Sequence, residues 1–423
     1  MLDPKFIRQN QDVIKKALSD RNCQFDLGNF LKIDQKRLDL LRQNEELLAA
    51  ANKSDSAVKV CIKEKKDPKP KIAESKEIKV KIDAIKSDLA VLTDEWRKLC
   101  LQVPNLPHSS LPVGGASSNE IIKEVGELKK FNFKPCDHIA LAEKLDIIDF
   151  KRGTKLSGSN FVLYKGAGAQ LERALINFML DLHTAEHGYT EVLPPKLVNR
   201  LSMQATGQLP NLEDDMYATG VDDLFLIPTG EVPITNIFRD EILEEDKFPI
   251  CYVAHTPCFR REAGSYGKDT RGLMRLHEFD KVEMVKFVKP QDSYSELEKL
   301  LANACKVLDL LNLPYRILLL ATADISFAAA KCYDIELYAP GVEKWLEVSS
   351  CSNFEDFQAR RGNIRYRDKE LGKPQFVHTL NGSGVALARL VVAILENYQT
   401  QDGSITIPEV LRKYLSGREK IEK

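Results

Sequence analysis

ICYVAHTPCFRREAGSYGKDTRGLMRLHEFDKVEMVKFV, residues 250–288, opens and closes on apolar runs, ICYVAHTPCF (250–259) and KVEMVKFV (281–288), with a long polar loop between them. Two strand candidates joined by one loop argue for hairpin pairing, and so for an antiparallel sheet with helices packed on it. The loop carries Gly264, Gly267 and Gly272 among Arg260, Arg261, Lys268, Arg271 and Arg275. The planar fork of arginine suits phosphate oxygens, and glycines let a loop close over a ligand. A long surface hairpin with solvated arginines would carry the same composition. The stretch is no P-loop, because GSYGK (264–268) has two residues between its glycines where four are required.

Downstream, FVHTLNGSGVALARLVVAILENYQ (376–399) reads as strand, glycine-rich turn and helix. Arg389 is the only polar residue within VALARLVVAIL (385–395). An arginine so placed is costly if buried alone, so it either reaches solvent or meets an anion. The glycines before the helix favour a ligand close to the backbone there. In WLEVSSCSNF (345–354), Glu347 stands in an otherwise apolar, strand-like run followed by small hydroxyl residues. Paired oxygen donors such as Glu347 and Ser350 suit a magnesium ion that also binds phosphates; an edge strand with an outward Glu reads the same way. After the apolar LFLIP (224–228), TGE (229–231) puts Thr229 and Glu231 on one face of an extended chain, by itself a weak signal.

Upstream, FVLYKG (161–166), the helix-like LERALINFMLDLH (171–183) and YTEVLPP (189–195) continue the alternation of short apolar runs with helical patterns. His183 and His187 are four apart, but the TAE between them lacks the metalloprotease Glu at its second position, which leaves packing or surface histidines. GAGA (166–169) is a turn that starts a helix and not a dinucleotide fingerprint. No Ser/His/Asp arrangement has a nucleophile elbow.

The N-terminal quarter has a different grammar. Ile78, Ile82, Ile85, Leu89, Leu92, Trp96 and Leu99 are spaced 4, 3, 4, 3, 4, 3, a heptad seam. Phe30, Ile33, Leu38, Leu41, Leu47 and Leu48 form a looser stripe upstream, and Pro68 and Pro70 in KEKKDPKPK break any helix between the two. Residues from about 27 to 100 therefore read as two long helices folded into an antiparallel coiled coil with the prolines near its tip. Residues 53–86 hold 11 lysines against 6 acidic residues, a local +5 that leaves −6 for the rest of a chain with total −1. A lysine-rich tip attracts phosphate backbones, although a solvated helical face has the same charge. VPNLPHSSLPVGGASSN (103–119) is the best domain boundary in the chain.

The 423 residues suggest two domains, or one large domain with an appendage, and 43% hydrophobic with 29% charged residues allows a sizeable core and excludes wholesale disorder. A net charge of −1 excludes a globally basic nucleic-acid coat. Nine cysteines without a CxxC pair fit neither a disulfide framework nor zinc spacing. The charged start MLDPKFIRQN and the lack of an apolar run of membrane length lead us to expect a soluble protein of a reducing compartment, with no membrane partner.

Taken together, these stretches resemble seryl-tRNA synthetase of the bacterial type, a class II aminoacyl-tRNA synthetase, over essentially the whole chain. GYTEVLPPKLV (188–198) with the helix before it looks like motif 1, FRREAGSYGKDTRGLMRLHEF (259–279) like motif 2 and LNGSGVALARLVVAILE (380–396) like motif 3. The resemblance implies an α+β fold: a tRNA-binding domain at 1–103 with its arm at about 27–100, a linker at 104–119 and a catalytic domain at 120–423. Motifs 1, 2 and 3 would fall at about 171–198, 250–287 and 376–399. It implies ATP-dependent attachment of L-serine to tRNA(Ser) through a seryl-adenylate, and leaves tRNA(Sec) open as a further acceptor, in a cytoplasmic homodimer whose arm reaches tRNA across the dimer. Carried over, Arg260 holds the α-phosphate, Arg389 the γ-phosphate, and Glu347 with Ser350 a Mg²⁺ ion; no zinc is expected. Arg261, Glu262, Leu276, Phe279, Val348 and Ser349 complete the ATP site, with Phe279 stacking on adenine. Thr229, Gly230, Glu231, Glu283, Asn381 and Ser383 surround the serine. The chain departs from the family pattern at Glu278, where Gln is expected, at Tyr266 and Lys268 in the loop, and at Val125, where Trp is expected.

Overall fold

The computed structural model describes residues 1–263 and 271–423 and divides into two units. Gly264, Tyr266, Gly267 and Lys268 of the arginine-rich loop lie outside the described residues. One unit comprises Leu2–Ser19 and Cys23–Pro104; the other comprises Met1, Asp20–Asn22 and Asn105–Lys423.

The first unit is built on two long antiparallel helices, α1 (Leu27–Lys63) and α2 (Lys69–Gln102). Asp26 starts α1 by accepting the Asn29 N–H at 2.9 Å, and the chain turns through Glu64–Pro68, where Lys65 takes φ +57°. Pro70 falls in the first turn of α2, where its missing N–H costs nothing. All seven seam positions from Ile78 to Leu99 are buried or half-buried. On α1 the stripe differs from the sequence reading: Leu48 is 40% exposed, while Asn44, Ala51 and Ser54 carry the seam. Ser75 Oγ donates to Asp55 Oδ1 at 2.7 Å, so the two helices are joined by a polar contact in the part of the seam where apolar residues run out. Nearer the base, Arg37 stacks 4.0 Å over the Trp96 ring and pairs with the fully buried Asp34, which Arg8 also holds at 2.6 Å.

The second unit centres on an eight-stranded sheet: β1 (Glu120–Val125), β2 (Thr190–Glu191), β3 (Ile250–Phe259), β4 (Glu278–Val288), β5 (Tyr315–Leu319), β6 (Lys331–Ala339), β7 (Lys344–Asn353) and β8 (His378–Ala386). Their spatial order is β1-β5-β6-β7-β8-β4-β3-β2, antiparallel throughout except for the short β2–β3 pairing. The hairpin expected at 250–288 is present, with Ile250 opposite Phe287 through to Phe259 opposite Glu278. A short helix α3 (His138–Leu145) and the longer α4 (Ala167–Ala185), α5 (Ser293–Leu310) and α6 (Leu387–Asn397) complete the parts used below. Gly166 leads into α4, as the GAGA turn required. No helix among the described residues is long and apolar enough to cross a membrane.

One local expectation needs correction. The glycines before α6 do not form a turn: Gly382 and Gly384 lie inside β8, whose register slips between Ser383 and Val385. They are there for close packing, since a Cβ would come within 2.9 Å of Cys351 Sγ at Gly382 and within 2.8 Å of His183 Nε2 at Gly384. From Asn105 onward the Pro/Gly/Ser-rich segment is tied to other residues of the second unit. Asn105 is 2% exposed and its side-chain amide donates to Ala328 O and Phe354 O at 2.9 Å, while the His108 N–H donates to Ala330 O at 2.8 Å.

Candidate active site

β4, β7 and β8 form the floor of a cavity of about 410 Å³, and the start of α6 with the returning limb of the loop, Leu273–Leu276, forms its rim. Side chains two apart on a strand share a face, so Lys281 and Glu283 both project into it from β4. Ser383 stands opposite Glu283 across β8.

One end of the cavity is closed. Thr229, Glu231, Lys281, Glu283, Asn381 and Ser383 are each under 9% exposed. Lys281 Nζ donates to Thr229 Oγ1 at 2.8 Å and pairs with Glu283; Thr229 Oγ1 donates to Glu283 Oε2 at 2.8 Å and accepts the Glu231 N–H at 3.2 Å. The Thr229 hydroxyl thus has its one proton and both lone pairs engaged. Glu231 Oε1 accepts Gln358 Nε2 at 2.6 Å. Burial, and then the charge of Glu283, push the Glu231 carboxyl up to about 7. Gly230 lines no surface, but its Cα packs so closely that a Cβ would sit 3.0 Å from Glu283 Cβ. Thr229 and Glu231 meet through a helical start at Glu231–Thr235, not along a strand as the sequence suggested, because LFL ends at Leu226 and Pro228 follows.

The other end is open and basic. Arg260 leaves β3, donates through Nε to Pro228 O at 3.2 Å and lies 5.3 Å from the Phe279 ring centroid. Glu262 follows with φ +53°, an unusual backbone for a residue with a side chain, and Arg275 holds its carboxylate at 2.6 Å. Arg389 is not stranded on its apolar helix: Nη1 donates to the Glu347 carbonyl at 2.7 Å and stands 3.5 Å from the Glu347 carboxylate, which is 48% exposed. Glu347 lies on an interior strand, which rules out the edge-strand alternative. Ser350 Oγ contacts Cys332 Sγ at 3.1 Å, and opposite it across β6 Asp334 has its carboxyl raised by burial and by the Glu347 charge. Among the described residues, no three His, Cys, Asp or Glu side chains are grouped to hold a metal ion.

Of the residues singled out from sequence, Arg260, Glu262, Leu276, Phe279, Glu347, Val348, Ser350 and Arg389 line this cavity with Thr229, Glu231, Glu283, Asn381 and Ser383. Arg261 and Ser349 do not. The Arg261 N–H donates to Asp215 O, and the buried Ser349 Oγ donates to Ser383 O at 2.6 Å, pinning β7 to β8. Glu278 and Val125 also lie outside the lining. Sequence reasoning missed Lys281, legible as the same-face partner of Glu283, and Gln358, whose helix gives no signal of its own.

An antiparallel sheet whose central hairpin, third strand and following helix surround such a cavity is the core of a class II aminoacyl-tRNA synthetase. Residues 215–398 match the tRNA synthetase class II core domain (G, H, P, S and T), and residues 1–107 match the seryl-tRNA synthetase N-terminal domain. The serine–tRNA ligases of Trichlorobacter lovleyi and Geobacter sulfurreducens are 55% and 53% identical to the chain, with all of both sequences covered in each case. The crystal structure of seryl-tRNA synthetase from Pyrococcus horikoshii, complexed with ATP, superposes with a TM-score of 0.91 at 36% identity, covering 100% of this chain and 99% of that one. The chain belongs to the seryl-tRNA synthetase family, and it is a ligase of the aminoacyl-tRNA synthetase class.

Proposed function

We propose that the chain joins L-serine to tRNA(Ser) through a seryl-adenylate made from ATP, with the closed end of the cavity holding serine and the open end the triphosphate. The observation that carries this reading is the convergence in one cavity of a buried carboxylate pair, Glu231 and Glu283, with two half-buried arginines, Arg260 and Arg389. A zwitterionic amino acid next to a polyanion asks for that polarity.

In the first step the serine carboxylate attacks the α-phosphorus in line and pyrophosphate leaves. The carboxylate is already a competent nucleophile, so this chain supplies position and charge and no general base. Glu231 and Glu283 take the ammonium, and Asn381 and Ser383 face the rest of the amino acid. Arg260 neutralises charge at the α-phosphate, where it grows in the transition state, and Arg389 anchors the γ-phosphate. Phe279, Leu276, Val348 and Glu262 frame the adenine. Glu347 and Ser350, two hard oxygen donors on one strand beside Arg389, would hold a Mg²⁺ ion there. Such an ion, bound with ATP, offsets phosphate charge. In the second step the 3′-terminal ribose hydroxyl of tRNA attacks the seryl carbonyl and AMP leaves; tRNA(Sec) is a second acceptor for the same chemistry.

Residues 1–103 serve as the tRNA-binding domain, 104–119 as linker and 120–423 as catalytic domain, with the lysines of 53–86 following tRNA phosphates. A homodimer through motif 1 is supported by apolar side chains left uncovered there, with Leu193 81% and Leu197 43% exposed. Sedimentation giving an active monomer near 47.8 kDa would contradict the dimer. The enzyme works in the cytoplasm. The direct test of the whole reading is aminoacylation with an unfractionated tRNA pool: labelled serine enters acid-precipitable tRNA, and transfer of a different amino acid would overturn it.

A further inference from the structure

Behind the open end of the cavity, a buried cluster ties the loop's returning limb to α6. Glu396, at the far end of α6, is fully buried. Its Oε1 accepts both the His138 backbone N–H and ring Nδ1 at 2.9 Å, and its Oε2 accepts the N–H groups of Gly341 at 2.8 Å and Val342 at 3.2 Å. Four donors on two oxygens make Glu396 purely an acceptor, so the ring proton of His138 sits on Nδ1 and Nε2 presents a lone pair. That lone pair receives the Leu273 N–H at 3.2 Å. The preceding residue leaves room for the ring only because it is glycine: a Cβ on Gly272 would lie 2.2 Å from His138 Nε2, and its φ is +62°. On the same face of α6, two turns before Glu396, Arg389 Nε donates to Met274 O at 3.4 Å. Leu273 and Met274 are therefore both referenced to one helix, through His138 in one case and through Arg389 in the other, and both line the cavity.

We propose that His138 is a positioning residue for the nucleotide: with Glu396 it fixes the cavity-lining limb, Leu273–Leu276, in register with the helix that carries Arg389. The inference rests on the ATP reading of the open end. Because the limb that His138 holds lines that end and not the closed one, its loss should separate the two substrates. In serine-dependent ATP–pyrophosphate exchange, His138→Phe should raise the KM for ATP roughly tenfold while the KM for serine stays within about twofold, as expected for losing one or two hydrogen bonds that act on one subsite. His138→Gln, whose amide oxygen can accept from Leu273, should recover part of the loss. Deuterium uptake at 273–276 should rise in His138→Phe with the sheet unchanged. Unchanged ATP KM, or ATP and serine KM rising in proportion, would overturn the proposal, as would unchanged uptake at 273–276. Wild-type protein without serine-dependent exchange would overturn the ATP reading instead, and the uptake measurement then decides the clamp alone.

Discussion

The two ends of the cavity solve opposite problems. At the closed end the charged groups and Thr229 are already paired: Lys281 holds Thr229 and Glu283, Gln358 holds Glu231, and each of the six lining residues is under 9% exposed. At the open end the charged groups lean on backbone carbonyls and keep contact with solvent, with Arg389 31% and Glu347 48% exposed at their side chains. Prior pairing suits a small ligand that has to be told from near-isosteres, because an analogue lacking a hydrogen-bonding group leaves a buried partner unsatisfied. Half-exposed arginines suit a large polyanion whose charge has to be neutralised as it changes.

That contrast orders the expected effects. Discrimination at the closed end is the largest: serine should exceed alanine in activation by roughly 10⁴-fold, and threonine should be refused at the same site by its extra methyl. Efficient hydrolysis of mischarged tRNA by this chain would show that discrimination lies elsewhere. Next comes Arg389→Ala, which should lower exchange by roughly 10²–10³-fold through loss of the charge at the γ-phosphate. An unchanged rate would break the assignment of the open end. Deleting residues about 35–92 sharpens the contrast by touching neither end: exchange should survive and aminoacylation should collapse. Every lysine–phosphate pair that the deletion removes should also flatten the log–log salt slope by roughly 0.7–0.9. Unchanged charging and salt slope would reduce the arm to a solvated hairpin.

The smallest effect is a pH dependence confined to the closed end. The Glu231 carboxyl, raised from 4.5 to about 7, keeps its proton in the folded protein at pH values where the unfolded chain has lost it. Its contribution to stability is full below pH 4.5 and falls as pH rises towards 7, by about 3 kcal/mol in all. Binding an ammonium runs the other way and needs the carboxylate. The KM for serine should therefore drop by roughly tenfold between pH 6 and 8, one pKa-unit's worth of carboxylate on either side of the midpoint, while the KM for ATP stays flat. Glu231→Gln should abolish that trend.

What the sequence revealed depended on how local the signal was. The heptad of α2 and the hairpin at 250–288 are periodic patterns within one segment, and both are present as read. The α1 stripe failed at Leu48 because Asn44 and Ser54, polar residues that periodicity discounts, occupy the inward positions. Gly382 and Gly384 read as a turn because glycine clusters usually are one; what makes them strand residues is Cys351 and His183 arriving from distant elements. Gln358 and the His138–Glu396 pair were invisible for the same reason, their partners lying 127 and 258 residues away.

The central claim, that the closed end takes serine and the open end ATP, is tested most directly by ATP–pyrophosphate exchange without tRNA across a panel of amino acids. Exchange with serine alone, lost on Arg389→Ala and carried to a higher serine KM by Glu283→Gln at unchanged ATP KM, is the predicted result. Exchange supported by another amino acid, or a Glu283→Gln enzyme whose ATP KM moves in place of its serine KM, would contradict it.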